Sequence, residues 1–240
     1  MKLQFIGTGT FGAKTRALTS MLLGGELLFD VGGGTIRGLQ NYGADIGAIK
    51  YLVITHYHPD HLFDIPALLL KRKIIYKNAT KLTIVGPEGV KNVIAEMMER
   101  YFGDGGKSPL GDATAYNLDF IELTDAETQI GGYRIVARTV LHGTNQPASG
   151  YEIIYGDQHL GFSGDATKCP GLDEIVNNSE TLFLDSTRFG ESDESHLNYL
   201  GVLGYAHEFP NKKFYLVHRG DYDLGDLPEN VFAPDDGDVI

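Results

Sequence analysis

Cysteine is almost missing from this 240-residue chain. The single Cys169 permits no intrachain disulfide and no thiolate zinc cluster, and it suits a reducing, cytoplasmic setting. Long apolar runs are missing too. The opening "MKLQFIGTGTFG" has no long apolar stretch after its early lysine, and about eighteen consecutive apolar residues, the length a spanning helix needs, occur nowhere. Secretion and membrane spanning are not expected. Positive charge is scarce: 20 Lys and Arg stand against 32 Asp and Glu, giving a net charge of -12. That balance excludes a surface coated in basic residues for non-specific nucleic-acid binding and leaves room only for a local basic groove. Two catalytic signatures are lacking as well. The glycine-rich "GTGTFG" has no Gly-Lys-Ser/Thr ending of a phosphate loop, and Ser163 in "FSGDA" is not framed by Gly-x-Ser-x-Gly. With no repeat, low-complexity tract or evident boundary, the expectation is one domain over residues 1–240.

What is present is a 42% apolar chain, enough for a large core. Short apolar runs recur as "LQFIG", "LTSMLLGG", "ELLFDVG", "YLVIT", "LTIVG", "YRIVARTV", "YEIIYG", "HLGFSG", "TLFLD" and "FYLVH", most closed by Gly, Asp or His, and they read as strands. The early ones are separated by glycine turns, as hairpins are, and the later ones by helical patterns, which together indicate α/β layering. In "GPEGVKNVIAEMMERYF" the residues Val90, Val93, Ile94, Met97, Met98 and Tyr101 recur at steps of three and four and predict a helix with one apolar stripe. Further helices are expected over residues 35–41, 60–71, 171–177 and 196–207. Residues 103–116 read as a long exposed loop, and the acidic tail "APDDGDVI" as a fraying end.

Collecting the polar residues that end strands gives a pattern. His56 follows "YLVIT", His142 follows "ARTVL", Asp165 follows "LGFSG", Asp185 closes "TLFLD", and His218 follows "FYLV". In layered α/β proteins ligands gather beyond strand ends, so these five residues are expected to converge. The first of them opens an H-x-H-x-D-H motif, His56, His58, Asp60 and His61. Imidazole nitrogens and carboxylate oxygens suit zinc, iron or manganese. His56 and His58, two apart in an extended turn, can share one ion. Asp60 and His61, at the start of a helix after Pro59, would face a second, since one ion holding all four would keep no open position for water.

These pieces resemble the metallo-β-lactamase-fold hydrolases, and within them the ribonuclease Z branch and its short relatives. "FIGTG", "DVGGGT", "THYHPDH", "LHGTNQPASGY", "FSGD", "DST", "ESHLN" and "LVH" match the family's recurring motifs in order and spacing. The resemblance implies a four-layer αββα sandwich with two mixed β-sheets and a dinuclear site: His56, His58 and His142 on one ion, Asp60, His61 and His218 on the other, and Asp165 bridging. Asp60 would also orient the attacking water. Asp185 and His196 match the family's acidic residue and its histidine proton donor. Asp30 would brace the metal loop, or merely shape a tight turn. His159 and His207 match nothing.

Three departures stand out. No Gly/Pro- and Lys-rich arm is evident, "LLLKRKIIYKNATK" being the only locally basic stretch and equally a solvated face or dimer contact. Gly33 stands where the family has a glutamate. "VHRGDY" leaves Arg219 and Tyr222 as loose counterparts of phosphate-contacting residues. The expected function is a metal-dependent hydrolase of a phosphodiester, either an RNA 3' end or a small molecule, with two divalent ions, zinc first and manganese or iron as alternatives, in a homodimer. The competing readings are a hydrolase of a lactone, thioester or β-lactam on the same site, and a non-catalytic or redox metal-binding protein.

Overall fold

The computed structural model describes residues 2–77, 80–103, 112–143 and 147–240. The chain divides into two compact units, one of Met1–Gly7, Ala17–Glu122 and Asp236–Ile240, the other of Thr8–Arg16 and Leu123–Asp235.

The first unit is built on a six-stranded sheet in the order β1 (Leu3–Gly7), β2 (Ser20–Leu23), β3 (Leu27–Phe29), β4 (Tyr51–Val53), β5 (Leu82–Gly86) and β6 (Leu118–Glu122). The first three strands pair antiparallel, joined at the second turn by Gly24 and Gly25 at positive φ, and the rest pair parallel. Strands β1 to β3 are buried on both faces, which is why they read as unbroken apolar runs rather than as alternations. Helices α1 (Thr35–Asn41), α3 (Ile65–Ile74) and α4 (Val90–Phe102) pack with Leu28, Leu52, Ile54 and Ile84 in one apolar core.

The expected stripe of α4 is narrower than its spacing suggested. Val90, Ile94 and Met98 are fully buried, worth about 1.5–3 kcal/mol each, whereas Tyr101 is 62% exposed. The helix expected over residues 60–71 is two helices, a single turn α2 (Pro59–Leu62) and then α3. Pro66 accounts for the break: it has no amide hydrogen to extend α2 and sits in the first turn of α3, where none is needed. The basic stretch is not simply a solvated face, because Arg72 is 3% exposed and donates to the carbonyls of Ile46, Ile49 and Thr80 and to the Thr80 hydroxyl.

The second unit carries a seven-stranded sheet in the order β13-β12-β11-β10-β9-β8-β7, comprising β7 (Glu127–Ile130), β8 (Tyr133–Thr139), β9 (Ser149–Tyr155), β10 (Gln158–Phe162), β11 (Thr181–Asp185), β12 (Lys213–Val217) and β13 (Val231–Phe232). Strands β7 to β10 pair antiparallel and β10 to β13 parallel. Helices α5 (Pro170–Asn178) and α6 (Asn198–Glu208) cover it with Leu172, Ile175, Val202 and Tyr205. Strands β6, β7 and β13 escaped the sequence reading. The first carries Asp119 and Glu122 among its five residues, the second opens on Glu127 with Thr128 and Gln129 behind it, and the last has only two residues.

The acidic tail does not fray. Residues 237–240 pair along β1 through Gly237 N to Phe5 O, Phe5 N to Asp238 O, Ile240 N to Leu3 O and Leu3 N to Ile240 O. Of the expected loop over residues 103–116, residues 104–111 lie outside the described part, and Ala113–Tyr116 form a 3-10 turn.

Candidate metal centre and proton-transfer pair

In the first unit the donors sit where β3 and β4 end. The two strands run parallel with Phe29 opposite Val53, so Asp30 and Thr55 emerge at the same end of the sheet. Asp30, buried and at φ 46°, accepts from Thr55 N at 2.9 Å on Oδ1, and from Thr55 Oγ1 and His61 Nδ1, each at 2.8 Å, on Oδ2. Its carboxylate therefore fixes the proton of His61 on Nδ1 in the neutral imidazole and leaves the lone pair on Nε2. Thr55 has spent its hydroxyl proton on Asp30, so at 3.0 Å it accepts from His56 Nδ1, and His56 is set the same way. The rings of His58 and His61 lie 4.7 and 4.2 Å from that of His56, and His61 Nε2 is 3.8 Å from Asp60 Oδ2. Four side chains able to ligate a metal are gathered by six residues of chain because Pro59 starts α2 immediately after the extended His58.

This loop is braced by the glycine turn. Val31 N donates to His61 O, Asp64 N donates to Val31 O, and a Cβ at Gly32 would stand 2.1 Å from Asp60 O. Gly32 is thus required by close backbone approach, and Asp30 enters that turn at positive φ while its carboxylate holds a histidine.

In the second unit parallel register does the same work. Phe162 pairs with Phe183, and Asp185 with Val217, so Asp165, Asp185 and His218 share one end of the sheet. His142 donates Nδ1–H to Ser195 O at 2.8 Å, a pure acceptor, which again leaves the lone pair on Nε2. Thr187 Oγ1 donates to Asp185 Oδ1 at 2.7 Å and accepts from His218 Nδ1 at 2.8 Å, with the same result for His218. Both Nε2 atoms then approach one oxygen, Asp165 Oδ2, at 3.7 Å from His142 and 3.4 Å from His218. Lone pairs of two imidazoles and a buried carboxylate repel one another at that range. A cation reverses the sign, and ligand atoms stand about 3.3 Å apart around a tetrahedral ion with bonds of about 2.0–2.2 Å. The donor set fits a divalent metal.

Next to it lies the Asp185–His196 pair. Asp185 is fully buried, and its Oδ2 meets His196 Nδ1 at 2.7 Å. Burial pushes the Asp185 carboxyl up, but the hydrogen bond from His196 and the approach of His218 Nδ1 to its other oxygen, at 3.5 Å, outweigh it and its net shift is downward. Burial likewise pulls His196 down, while the hydrogen bond to Asp185 and its charge raise it overall. The helix expected over residues 196–207 instead begins at Asn198, and His196 precedes it in a segment ordered by Asp193. Partial burial disfavours that carboxylate, yet the amides of Ser195 and His196, the Asn198 side chain and Arg188 hold its pKa down to about 2. Gly143, at φ 45°, lets this segment close over His142, since a Cβ there would stand 2.1 Å from Ser195 Oγ.

Thr187 and the Ser195 carbonyl are the residues the sequence reading missed. The "DST" motif contains Thr187, but a carbonyl acceptor has no letter. Arg219 and Tyr222 are committed elsewhere: Arg219, 5% exposed, donates to Pro234 O and Asp235 Oδ1, and Tyr222 donates to Ser186 O. His159 lines a groove with Arg134, Arg138 and Glu152, and His207 sits in the last turn of α6. Among the described residues, neither joins a cluster able to hold a metal, and no helix is long and apolar enough to cross a membrane.

The family described as "Anti-Pycsar protein Apyc1" matches residues 1–232. The chain belongs to that family. Its sequence is also 32% identical over 180 residues to ribonuclease BN of Citrobacter koseri, covering 72% of this chain and 55% of that one. It is 31% identical over 161 residues to ribonuclease Z of Staphylococcus carnosus, covering 64% and 49%. The chain thus spans about half the length of the curated relatives it matches. Solved structures agree in fold. The metallo-β-lactamase fold protein YhfI of Bacillus subtilis superposes with a TM-score of 0.78 at 18% identity, covering 100% of this chain and 98% of that one. Human tRNase Z, short form, gives 0.77 at 21%, also covering 100% and 98%, and a diphosphatase of the PhnP family gives 0.76 at 18%, covering 100% and 96%. This Apyc1-family chain has the metallo-β-lactamase fold.

Proposed function

We propose that the protein is a metal-dependent hydrolase of phosphodiester bonds, working with two divalent ions, zinc first among the candidates. The observation that carries the reading is the convergence of His142 Nε2 and His218 Nε2 on Asp165 Oδ2, with each Nδ1 tied to an acceptor behind it. The assignment of His56, His58 and His142 to one ion and of Asp60, His61 and His218 to the other, with Asp165 shared, rests on the resemblance. Each unit by itself supplies a donor set of matching chemistry, and the family match over residues 1–232 supports treating both units as one domain. A homodimer and a cytoplasmic location belong to the same reading.

When bound, such ions neutralise charge on phosphate oxygens and make water acidic enough to attack near neutral pH. The chain's own residues do the rest. Asp60 would orient that water and accept its proton. His196 would give a proton from Nε2 to the leaving alkoxide, while Asp185 keeps the Nδ1 proton in place and favours the charged imidazolium. Thr187 holds Asp185 in turn through both its amide and its hydroxyl.

The test is metal content of the purified protein and of Asp165→Ala, coupled to hydrolysis of bis(p-nitrophenyl) phosphate and of a precursor tRNA. About two equivalents of metal and chelator-sensitive diester cleavage, both lost in the variant, are expected. The tRNA arm decides between an RNA 3' end and a small diester. Lactone turnover far exceeding diester turnover, or activity indifferent to chelation, overturns the reading.

A further inference from the structure

Phe189 follows four residues after Asp185, between β11 and α6, with 59% of its surface exposed. A single exposed apolar ring is common on protein surfaces and by itself means nothing. This ring, however, stands on a fixed backbone. The carbonyls on either side of it, Arg188 O and Gly190 O, accept from Tyr199 N and Leu200 N, each at 2.9 Å, and Arg188 N donates to Asn198 Oδ1 at 3.2 Å. The segment is laced to the first turn of α6.

The ring is also backed by other rings. Tyr199 lies 5.7 Å away, tilted by 38°, and Tyr222 lies 6.3 Å away, edge to face at 66°. The two tyrosines are 5.8 Å apart and each is pinned through its hydroxyl, Tyr199 to Leu224 O at 2.9 Å and Tyr222 to Ser186 O at 2.5 Å. Ser186 directly follows Asp185 in the chain. An aromatic ring supported on one side by two immobilised tyrosines, and open over most of its own surface, is ordered before anything binds to it. Stacking on such a ring carries little entropy cost.

Charge sharpens the point. With a net charge of -12, the chain has little general attraction for a phosphate anion away from its ions, so further affinity is best drawn from an uncharged contact. The flat, polarisable part of a nucleotide is its base, and every base has a face that stacks.

We infer that Phe189, supported by Tyr199 and Tyr222, is a specificity-determining residue that stacks on the base of the substrate beside the Asp185–His196 pair. The inference rests on the phosphodiesterase reading above and adds to it the residue that selects a base-bearing diester over one without a base.

The experiment compares two esters with a common leaving group, the p-nitrophenyl ester of thymidine 5'-phosphate and methyl p-nitrophenyl phosphate, on the metal-loaded protein. For Phe189→Ala, the ratio of kcat/KM between the thymidine and the methyl ester falls about 10-fold, through KM for the thymidine ester, and Phe189→Tyr restores it. An unmoved ratio, with both esters falling together or neither falling, overturns the inference and leaves Phe189 a structural residue. If the wild-type protein turns over neither ester, the hydrolase reading has failed. Calorimetric binding of thymidine 5'-phosphate still decides the role of Phe189: equal affinity in wild type and Phe189→Ala overturns it, and a similar 10-fold weakening supports it.

Discussion

At the residue scale, the site is governed by what stands behind each imidazole. Asp30 and Asp185 are both buried carboxylates bound to a histidine Nδ1, yet the proposed function gives them different ends, and conservative variants test that division. Asp30→Asn replaces an acceptor by a group that is half donor, which disturbs the orientation of His61 and Thr55 together. Metal affinity is expected to fall about 10- to 100-fold, read by competition with a chromophoric chelator. Asp185→Asn should leave metal content intact while kcat for a diester falls about 100-fold or more, because His196 loses both its preferred tautomer and its stabilised charge. Equal metal loss in the two variants would refute the division of roles. The side chains that gather at the strand ends of each unit were legible in the sequence, because His and Asp recur there after apolar runs. What stood behind them was only half legible. Asp30 and Asp185 could be named, but Thr187 and the Ser195 carbonyl emerge only when strand register and the turn at Gly143 bring them together.

At the scale of elements, two segments carry more than their sequence suggested. The segment before α6 depends on the Asp193 carboxylate, whose pKa of about 2 lies below its ordinary value of 3.8. A carboxylate depressed in the folded state contributes stability above its unfolded pKa, and that contribution is lost as pH falls from near 4 towards 2. Protection of the Ser195 and His196 amides, taken relative to the intrinsic exchange rate at each pH, is therefore expected to fall over that window, ahead of protection in β11 and β12; simultaneous loss would show the segment to be no separate unit. The other segment is α3, where Arg72 fastens the helix to the carbonyls of Ile46, Ile49 and Thr80. Arg72→Ala leaves those acceptors dry and is expected to cost about 3 kcal/mol in urea unfolding, whereas Lys71→Ala on the same turn should cost under about 0.5 kcal/mol. A run of basic letters cannot distinguish a solvated lysine from a buried arginine. Periodicity has the same limit, having placed Tyr101 in a stripe that Val90, Val93, Ile94, Met97 and Met98 make without it.

At the scale of the molecule, metal and fold are linked. Ligands drawn from strand ends far apart in sequence bind an ion only when the chain is folded, so saturating zinc is expected to raise Tm. A free concentration about 100-fold above Kd gives about 2.7 kcal/mol, or roughly 5–10 °C, and a chelator should reverse it. An unchanged Tm would mean that no ion binds the native state preferentially. The layered α/β class was legible because apolar runs and helical stripes alternate along the chain. The order of strands within each sheet was not, since neighbours such as β6 and β7 are adjacent in sequence yet belong to different sheets. Nor was the pairing of residues 237–240 with β1, because an acidic tail makes its bonds with backbone atoms alone. That last pairing has a consequence during synthesis. Residues 237–240 leave a ribosome more than two hundred residues after β1, so in that interval the sheet of the first unit keeps an unprotected rim of amides and carbonyls. Such a rim invites strand addition from other chains, and the pairing of residues 237–240 is what covers it.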